Sequence, residues 1–182
     1  MERLKKEGLE WGKAIVIGFV IFIVIRMFLF TNYVVQGESM EPTLVQGNKL
    51  VVNKISYTFG DIERFDVIVF HANDEEDYVK RVIGLPGDKI EYRKDKLYIN
   101  DRYYEEYFLE DKKTMRNVTG SFSLKDIANV EKIPDGYLFV LGDNRMRSED
   151  SRHFGLVPID EVVGKVNLRY WPLNQWEFTF KN

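Results

Sequence analysis

Residues 77–88 read DYVKRVIGLPGD, and this stretch decides the fold class. It begins as a strand-like run of β-branched residues and ends in LPGD. That ending predicts a type II turn, because proline fixes φ and glycine supplies the positive φ at the next position. If the run is extended, Tyr78 and Lys80 share one face and Arg81 points to the other. At least one of the two cations then lies against apolar surface, where it must be paired or lose its charge. A lysine gives up its proton more readily than an arginine does.

Segments of the same kind recur along the chain and predict a mostly β, antiparallel fold. They are rich in β-branched and aromatic residues and are separated by Gly, Pro, Asn and Asp. We predict one main β-sheet domain over residues 31–182, with residues 101–133 as a small inserted subdomain because that stretch is polar and weakly patterned. The predicted strands are YVVQG (33–37), KLVVNKI (49–55), FDVIVFH (65–71), DYVKRVIG (77–84), DKIEYRK (88–94), KLYIN (96–100), YLFVL (137–141), VVGKVNLRYW (162–171) and WEFTF (176–180).

Length, charge and cysteine content narrow the class of protein. A chain of 182 residues is long enough for one well-packed domain and too short for two ordinary ones. The formal net charge of −3 gives no basic field of the kind that nucleic acid requires, so DNA and RNA are poor candidate partners. Without cysteine, the chain has no disulfide framework and no thiol nucleophile.

The N-terminal stretch over residues 14–30 is apolar except for Arg26. Its roughly 17 residues correspond to roughly 25 Å of helix, near the lower limit for crossing a bilayer. We predict one N-terminal transmembrane helix here, preceded by a cytoplasmic segment over residues 1–13, because basic residues favour the cytoplasmic side. No small-x-small site follows that would indicate a cleaved signal peptide, and a buried helix of a soluble core is the main alternative. The basic residues are Arg3, Lys5, Lys6 and Lys13.

The segment GESMEPTL, residues 37–44, contains a candidate nucleophile. Gly37 permits close approach of the backbone and Pro42 disfavours helix before it, so Ser39 falls on a bend. Such a bend can expose a hydroxyl and direct a backbone N–H at one spot. A serine before a proline turn is more often only part of the turn, so this segment alone does not identify a nucleophile.

Few residues are candidates for the base that would activate a serine. The G-x-S-x-G pattern is broken by Glu41, and no serine has a lysine three residues later. His71 and His153 are the only histidines, and a Ser-His-Asp triad is the weaker alternative even though Asp150 is close to His153. Lys80 is the better candidate.

The segment LGDNRMRSEDSRHFG, residues 141–155, follows the predicted strand YLFVL. Its density of Asp, Asn, Ser and Arg suits a solvated loop. The same side chains are also able to form a rigid buried polar network that positions a lysine. The residues concerned are Asp143, Arg145, Ser148, Asp150, Ser151 and Arg152.

These three segments resemble, in order, sequence boxes of the bacterial type I signal peptidases, or leader peptidases. FDVIVF (65–70) resembles a fourth box between them, and the similarity covers nearly the whole chain. The Ser-Met-x-Pro-Thr pattern alone is only suggestive, but together with Lys-Arg-x-x-Gly-Leu-Pro-Gly-Asp and Gly-Asp-Asn-Arg it is very specific. One anchor and a short insertion are most similar to the Gram-positive branch.

The resemblance implies a serine endopeptidase with a serine–lysine dyad that needs no cofactor and no metal. Ser39 would attack the scissile carbonyl, Lys80 would take its proton as a neutral general base, and Ser148 would help to orient the amine. Arg81 would form a structural ion pair with Asp143. The supporting residues implied in this way are Ser148, Asp150, Arg152, Asp143 and Arg81.

Two positions depart from the pattern of the family. Gly37 replaces the serine that supplies a second oxyanion donor in some relatives, so the backbone N–H of Ser39 is the donor that can be identified. Arg147 stands where asparagine is common, which leaves the implied catalytic positions intact.

The implied substrates are exported preproteins, which would bind as extended chains beside the segments that precede Ser39 and Lys80. Ordinary core packing is an equal alternative for each residue of this implied site. The implied location is the cell membrane, in which a single span would hold an extracytoplasmic catalytic domain against the lipid bilayer. The implied substrate-binding residues are Tyr33, Val35, Gln36, Gly37, Met40, Leu44, Asp77, Tyr78 and Val79.

Two other classes of protein fit part of the pattern. Self-cleaving regulators of the SOS type resemble this family in their Ser-Lys chemistry, but they are soluble and carry a DNA-binding domain, whereas this chain begins with a predicted anchor. A membrane-tethered, non-catalytic β module that binds extracytoplasmic peptides is the second. Cleavage of an Ala-x-Ala precursor separates that module from an enzyme.

Overall fold

A computed structural model describes residues 2–54, 62–112, 118–178 and 180 of the chain. It confirms the prediction of a mostly β, antiparallel fold. The helices are α1 Glu2–Leu29, α2 Leu124–Ala128 and α3 Ser151–Phe154, with 3-10 turns at Tyr107–Lys112, Ile159–Glu161 and Leu173–Gln175. The strands are β1 Phe30–Val34, β2 Lys49–Asn53, β3 Val67–His71, β4 Asp77–Gly84, β5 Ile90–Arg93, β6 Lys96–Ile99, β7 Arg102–Tyr104, β8 Phe122–Ser123, β9 Tyr137–Leu141, β10 Val157–Pro158 and β11 Val162–Trp171.

The strands form two sheets. The main sheet has the order β1-β2-β11-β3-β4-β9-β10, and the smaller sheet has the order β7-β6-β5-β8. Strand β11, near the end of the chain, pairs with both β2 and β3 and so lies in the middle of the main sheet. The predicted turn after β4 is present, because Asp88 N donates to Leu85 O at 3.0 Å and Gly87 has a φ of 84°.

Among the described residues, three clusters of apolar side chains make up the core. One joins the two sheets, since it contains Ile83 of β4, Tyr92 of β5 and Phe139 of β9. The second lies under the segment after β1 and contains Val35, Met40, Leu44 and strand residues of the main sheet. The third packs on the opposite face of the main sheet and contains Ile68, Phe70, Val82, Leu138, Val140 and Val157.

Helix α1 begins earlier than the predicted span and leads directly into β1 at Phe30. Across the part of the chain that the structure describes, no helix combines the length and the apolar character that a membrane crossing requires. Large apolar side chains of this helix are nevertheless exposed. They are Trp11, Ile15, Val16, Ile17, Phe19, Val20, Ile21, Phe22 and Ile23.

The structure differs from the sequence prediction at several places, among them the short strands β7, β8 and β10, which no predicted strand covers. The predicted strand over 176–180 is wrong, since the described residues there form only a single bridge, between Glu177 and Arg169. Strand β1 occupies Phe30–Val34, three residues earlier in the chain than the predicted 33–37. The smaller sheet begins at Ile90, ahead of the predicted insertion over 101–133, and residues 113–117 of that insertion lie outside the described residues.

Candidate active site

Ser39 lies on a bend between β1 and β2 that is held from two directions. Within the segment, Leu44 N donates to Met40 O at 2.9 Å, and both side chains are buried in the core. From the other direction, Asn144 donates its backbone N–H to Ser39 O at 3.0 Å and its side-chain amide to Glu38 O at 3.0 Å. The position of the Ser39 hydroxyl is therefore set by the core on one side and by the segment after β9 on the other.

Lys80 lies on β4, and its amine reaches the hydroxyl of Ser39. Lys80 Nζ is 3.1 Å from Ser39 Oγ and 3.2 Å from Val79 O, to which it donates. It also lies 4.8 Å from the centroid of the Tyr78 ring. Lys80 is only 3% exposed, so little water competes for these contacts.

The surroundings of Lys80 favour its neutral form. Burial lowers the pKa of Lys80 from 10.5 to about 8, and the negative charges of Asp150 and Glu149 oppose this change without cancelling it. With a pKa of ~8, about one amine in ten is neutral at pH 7, against roughly one in 2,500 for an exposed lysine. A neutral amine can accept the proton of a serine hydroxyl, and an ammonium group cannot.

Arg81, the neighbour of Lys80 on β4, is fully buried and paired. Its Nε donates to Asp143 Oδ1 at 2.8 Å and its Nη2 to Asp143 Oδ2 at 2.7 Å, while the same guanidinium donates to the carbonyls of Phe65 and Phe180. Burial alone would raise the pKa of Asp143, but the charge and hydrogen bonds of Arg81, with smaller contributions from Thr43 and Arg145, together hold that pKa below its usual value. Both adjacent cations of β4 are buried, but Arg81 has a carboxylate in direct contact, whereas the hydrogen-bond partners of Lys80 are a hydroxyl and a carbonyl.

The segment after β9 forms a buried polar network instead of a solvated loop. Asp150 Oδ2 accepts from Gly142 N at 3.0 Å, and Arg152 donates to both oxygens of Asp150 at 2.8 Å. Ser151 Oγ accepts from Val140 N at 3.0 Å. Because both carboxylate oxygens of Asp150 are bonded, the segment that passes beside Ser39 has a fixed shape.

Ser148 lies beside the candidate nucleophile without contacting the amine. Its Oγ is buried, lies near enough to the Asp150 carboxylate to help lower the pKa of that group, and forms no hydrogen bond with Lys80. Ser148 Oγ and Ser39 O both lie next to Gly142, and a Cβ atom added to Gly142 would collide with both oxygens. The structure therefore brings Ser148 to the site that the resemblance implies, but the hydrogen bond to Lys80 is not formed.

Arg145 connects this network to the smaller sheet. Its fully buried guanidinium donates to Gly142 O at 3.0 Å, Tyr92 Oη at 3.2 Å, Thr119 Oγ1 at 2.9 Å and Glu106 Oε1 at 2.6 Å. Tyr92 belongs to β5, Glu106 and Thr119 lie between β7 and β8, and Gly142 follows β9, so distant parts of the chain meet at this one side chain. The sequence named Arg145 as a candidate for such a network but gave no signal for its partners.

A groove passes Ser39 and Lys80, with the segment after β1 on one side and the start of β4 on the other. Strand β9 pairs with β4 only from Arg81 to Gly84, so residues 77–80 are paired with β3 on one edge and have no β9 partner on the other. The predicted substrate-binding residues that line the groove are Tyr33, Val35, Gln36, Gly37, Met40, Asp77, Tyr78 and Val79.

Leu44 is the one predicted substrate-binding residue that does not line the groove, since it is fully buried in the core beneath it. Sequence reasoning missed several residues that do line it. They come from the end of β1 and from loops that only the folded chain brings together, so no local pattern indicates the whole set. They are Val34, Glu38, Glu75, Glu76, Arg147 and Glu149.

Neither histidine contacts Ser39 among the described residues. His71 Nδ1 lies 2.6 Å from Asp77 Oδ1, and His153 Nδ1 lies 3.9 Å from Asp150 Oδ1. The partner of the Ser39 hydroxyl is the Lys80 amine. An antiparallel β domain with a serine hydroxyl beside a buried amine in an open groove is typical of serine hydrolases that use lysine in place of histidine.

Comparisons with known proteins identify the family. Residues 8–171 match the family described as signal peptidase, peptidase S26. The chain is 51% identical over 179 residues to signal peptidase I of Bacillus caldolyticus, an alignment that covers 97% of each chain. It is 46% identical over 184 residues to signal peptidase IB of Staphylococcus aureus, which covers 97% of this chain and 96% of the relative.

A solved structure agrees with these relatives. The crystal structure of a signal peptidase I from Enterococcus faecalis V583 superposes with a TM-score of 0.53 at 40% identity, covering 58% of this chain and 97% of that chain. The chain belongs to the signal peptidase family, peptidase S26, and is a serine endopeptidase. The resemblance predicted from the sequence boxes is confirmed.

Proposed function

We propose that this chain is a membrane-anchored signal peptidase I that removes N-terminal signal peptides from exported preproteins, with Ser39 as nucleophile and neutral Lys80 as general base. The observation that carries the proposal is the 3.1 Å separation of Ser39 Oγ and Lys80 Nζ in a buried site. A general base must lie within hydrogen-bond reach of the proton that it takes, and this pair does. Membership of the signal peptidase family supports the reaction class.

Acylation uses the pair as follows. Ser39 Oγ attacks the scissile carbonyl carbon while its proton moves to Lys80 Nζ, which gives a tetrahedral intermediate and an ammonium group. The ammonium then donates its proton to the leaving amine as the C–N bond breaks, which leaves an ester on Ser39 and a neutral Lys80. The negative charge on the tetrahedral oxygen is met by the backbone N–H of Ser39 at the bend.

Deacylation uses the same amine in the same order. Lys80 takes a proton from water as the water oxygen attacks the ester carbon, and it returns the proton to Ser39 Oγ as the ester bond breaks. The cleaved signal peptide leaves with a C-terminal carboxylic acid, and the Ser39 hydroxyl is regenerated in the same step. Lys80 must be neutral at the start of each half-reaction, which its burial favours.

The supporting residues act through position. Arg81 and Asp143 fix β4 against the segment after β9, and Asp150 with Arg152 fixes the shape of that segment. Ser148 has a buried hydroxyl that forms no hydrogen bond with Lys80, so a small rotation of either side chain is the step that would let it orient the Lys80 amine. These contacts hold the hydroxyl and the amine at the separation that proton transfer needs.

The groove suits an extended peptide. The edge of residues 77–80 that faces away from β3 has no β9 partner, so its backbone groups are available for strand addition. Val35, Met40 and Val79 present apolar surface near Ser39 for a small side chain before the cut. In this proposal the substrate first binds as an added strand, and it is then cut where its backbone passes the Ser39 hydroxyl.

Residues 14–30 are the proposed membrane anchor, with residues 1–13 on the cytoplasmic side and residues 31–182 as the extracytoplasmic domain. The apolar sequence supports this assignment, as do the exposed apolar side chains of α1. Exposed apolar surface of this extent is unfavourable in water and favourable in lipid. Phe30, Trp171, Trp176 and Phe178 are also exposed and suit the membrane interface.

The anchor is tested by flotation of the full chain with liposomes. Replacing Phe19 and Phe22 together by Lys puts two charges into the proposed span and should move the protein from the liposome fraction to the soluble fraction. Replacing Tyr103 and Tyr107 by Lys changes two exposed aromatic residues near the smaller sheet and should leave flotation unchanged. Equal flotation of both double variants would contradict the anchor.

The reaction is tested by incubating the detergent-solubilised full chain with a precursor that carries an Ala-x-Ala cleavage site. Wild type should give the processed product, and Ser39→Ala and Lys80→Met should each abolish it. Ser121→Ala and Lys96→Met change the same residue types at exposed positions and serve as matched controls. Cleavage by either Ser39→Ala or Lys80→Met would refute the dyad. Binding without cleavage by wild type would instead support a non-catalytic peptide-binding module.

A further inference from the structure

The chain turns back on itself after β11. The 3-10 turn Leu173–Gln175 follows that strand, and Glu177 then pairs with Arg169 through two backbone hydrogen bonds of 2.9 Å and 3.3 Å. Among the described residues this pairing is a single bridge, so strand pairing contributes little to holding the chain there. We call residues 175–178 together with Phe180 the return segment.

The side chain of Arg169 joins the return segment to the bend that carries Ser39. Its Nε donates to Gln175 O at 2.7 Å and its Nη2 to Glu177 Oε2 at 2.5 Å, both in the return segment. Its Nη1 donates to Thr43 O at 2.6 Å, four residues after Ser39. Because a guanidinium is planar and rigid, bonds in these three directions fix the two segments relative to each other.

The return segment ends in a buried aromatic ring. In a strand Trp176, Phe178 and Phe180 would share one face, but the first two are exposed and only Phe180 is buried. The chain therefore turns inward at Phe180, whose side chain is 3% exposed. The ring belongs to the same core cluster as Met40 and Leu44, which anchor the bend.

Phe180 is also connected to the strand of the base. Its carbonyl oxygen accepts a hydrogen bond from Nη1 of Arg81, the residue that follows Lys80 on β4. Met40, in the same core cluster as the Phe180 ring, follows Ser39 in the same way. One residue thus links the immediate neighbours of both reacting residues, through its ring on one side and its carbonyl on the other.

Strand pairing does not set the distance between the bend and Lys80. The bend precedes β2, and β11 and β3 lie between β2 and β4 in the main sheet. The two reacting groups are therefore held together by contacts that cross the sheet. Asn144 supports the bend from the segment after β9, and the return segment supports it from the opposite end, at Thr43.

We propose that the return segment positions the reacting pair, with Phe180 and Arg169 setting the separation of the Ser39 hydroxyl and the Lys80 amine. This inference rests on the proposed function. Removal of the Phe180 ring leaves a void in the cluster beneath the bend, and the bend then relaxes into it. A shift of about 1 Å at the reacting atoms is enough to slow the reaction strongly.

The effect should fall on the chemical step. Neither Phe180 nor Arg169 lines the groove, so neither is placed to contact the bound peptide. A variant that only displaces the reacting atoms lowers kcat and kcat/KM together and leaves KM nearly unchanged. A purely structural role would instead lower the melting temperature and leave kcat of the folded protein as in wild type.

The experiment measures kcat, KM and melting temperature of the full chain in detergent with an Ala-x-Ala precursor, well below the melting temperature of each variant. Phe180→Ala should lower kcat about a hundredfold and change KM by less than about twofold. Phe180→Leu refills most of the void with an apolar side chain and should recover most of the lost kcat. Arg169→Lys keeps the charge but loses the planar three-way contact, and it should lower kcat about tenfold.

Leu173→Ala is the control, because it truncates an apolar side chain in the preceding turn that is 66% exposed and does not line the groove. It should leave kcat as in wild type. Folded Phe180→Ala and Arg169→Lys variants that keep the kcat of wild type, or that change only KM, would overturn the proposal. If Phe180→Ala does not fold, Arg169→Lys decides. A wild type that does not cleave the precursor refutes the proposed function itself, which is a distinguishable result.

Discussion

Ser39 Oγ and Lys80 Nζ lie 3.1 Å apart, although 41 positions separate the two residues in the chain. Because burial lowers the pKa of Lys80 to about 8, the amine becomes neutral as the pH rises through that value. Cleavage that needs a neutral amine should therefore increase with pH up to about pH 8 to 9 and then level off. The measurement is kcat/KM of the full chain against pH.

A different base would give a different profile. If a histidine were the base, the rise would be centred near pH ~6.5, the ordinary pKa of an imidazole. A profile that is already flat at pH 7 would contradict a lysine base. Lys96→Met, at an exposed position that does not line the groove, should leave the profile unchanged.

The burial of Lys80 should also reduce stability. Its pKa is about 8 in the folded chain and 10.5 when exposed, so between these pH values the unfolded chain binds more protons and stability rises with pH. Below about pH 8 the penalty is fully present, roughly 3 kcal/mol at 1.36 kcal/mol per pKa unit. Lys80→Met removes the amine and should raise the free energy of unfolding at pH 7. The gain is reduced by the loss of the two hydrogen bonds that the amine forms.

This prediction is checked by urea unfolding of the full chain at pH 7 and at about pH 10.5. The gain in Lys80→Met should shrink at the higher pH, since wild type no longer carries a buried charge there. The exposed variant Lys96→Met should show no gain of this kind. A Lys80→Met protein that is less stable than wild type at pH 7 would mean that the amine contributes more by its contacts than its desolvation costs.

Local features of the fold were predictable because they depend on neighbouring residues. The β-branched residues of 77–84 predict a strand and LPGD predicts the turn that follows it, and the structure has both. The predicted strand over 176–180 is wrong because it relied on local pattern alone. WEFTF has strand propensity, but the pattern does not indicate a partner strand. Among the described residues of this segment, only Glu177 forms a β-bridge, with Arg169. Propensity without a place in a sheet does not make a strand.

Contacts between distant segments were not predictable. Nothing local indicates that β11 inserts between β2 and β3, or that β1 curls towards β4 so that Tyr33 meets Asp77. Lys80 could be identified as unusual from its apolar neighbours alone, but its distance to Ser39 depends on the order of all these strands. For that reason the sequence gives good candidates for the reacting groups and poor candidates for the residues around them.

Gly142 is predicted to be essential for the geometry of the site. A Cβ atom there would collide with Ser148 Oγ and with the carbonyl oxygen of Ser39, and the second of these is backbone that cannot rotate away. Gly142→Ala should therefore displace the Ser39 bend and lower kcat by about a hundredfold, with a smaller effect on KM, as expected for a misplacement of about 1 Å at the reacting atoms.

The control for this prediction is Gly12→Ala, because a Cβ atom at Gly12 meets nothing within 4 Å. It should leave kcat as in wild type. If Gly142→Ala loses no activity, the close approach of Ser39 and Ser148 is not needed for catalysis. A Gly142→Ala protein that loses activity only because it unfolds is recognised by its melting temperature.

Two ion pairs near the site are predicted to differ widely in their contribution to stability. Arg81 and Asp143 are both fully buried, whereas the side chains of Arg147 and Glu38 are 64% and 45% exposed although their atoms lie 2.5 Å apart. Asp143→Asn leaves the Arg81 charge buried without a compensating charge and should lower the free energy of unfolding by about 3–5 kcal/mol. Arg147→Ala removes a pair that water already screens and should change the free energy of unfolding by less than about 1 kcal/mol.

Both values are obtained by urea unfolding at pH 7. Added salt should weaken the effect of Arg147→Ala much more than that of Asp143→Asn, since the Arg147 pair is exposed to ions. An Arg147→Ala variant as unstable as Asp143→Asn would show that the exposed pair holds the Ser39 bend in place, and that the backbone hydrogen bonds of Asn144 are not sufficient to do so.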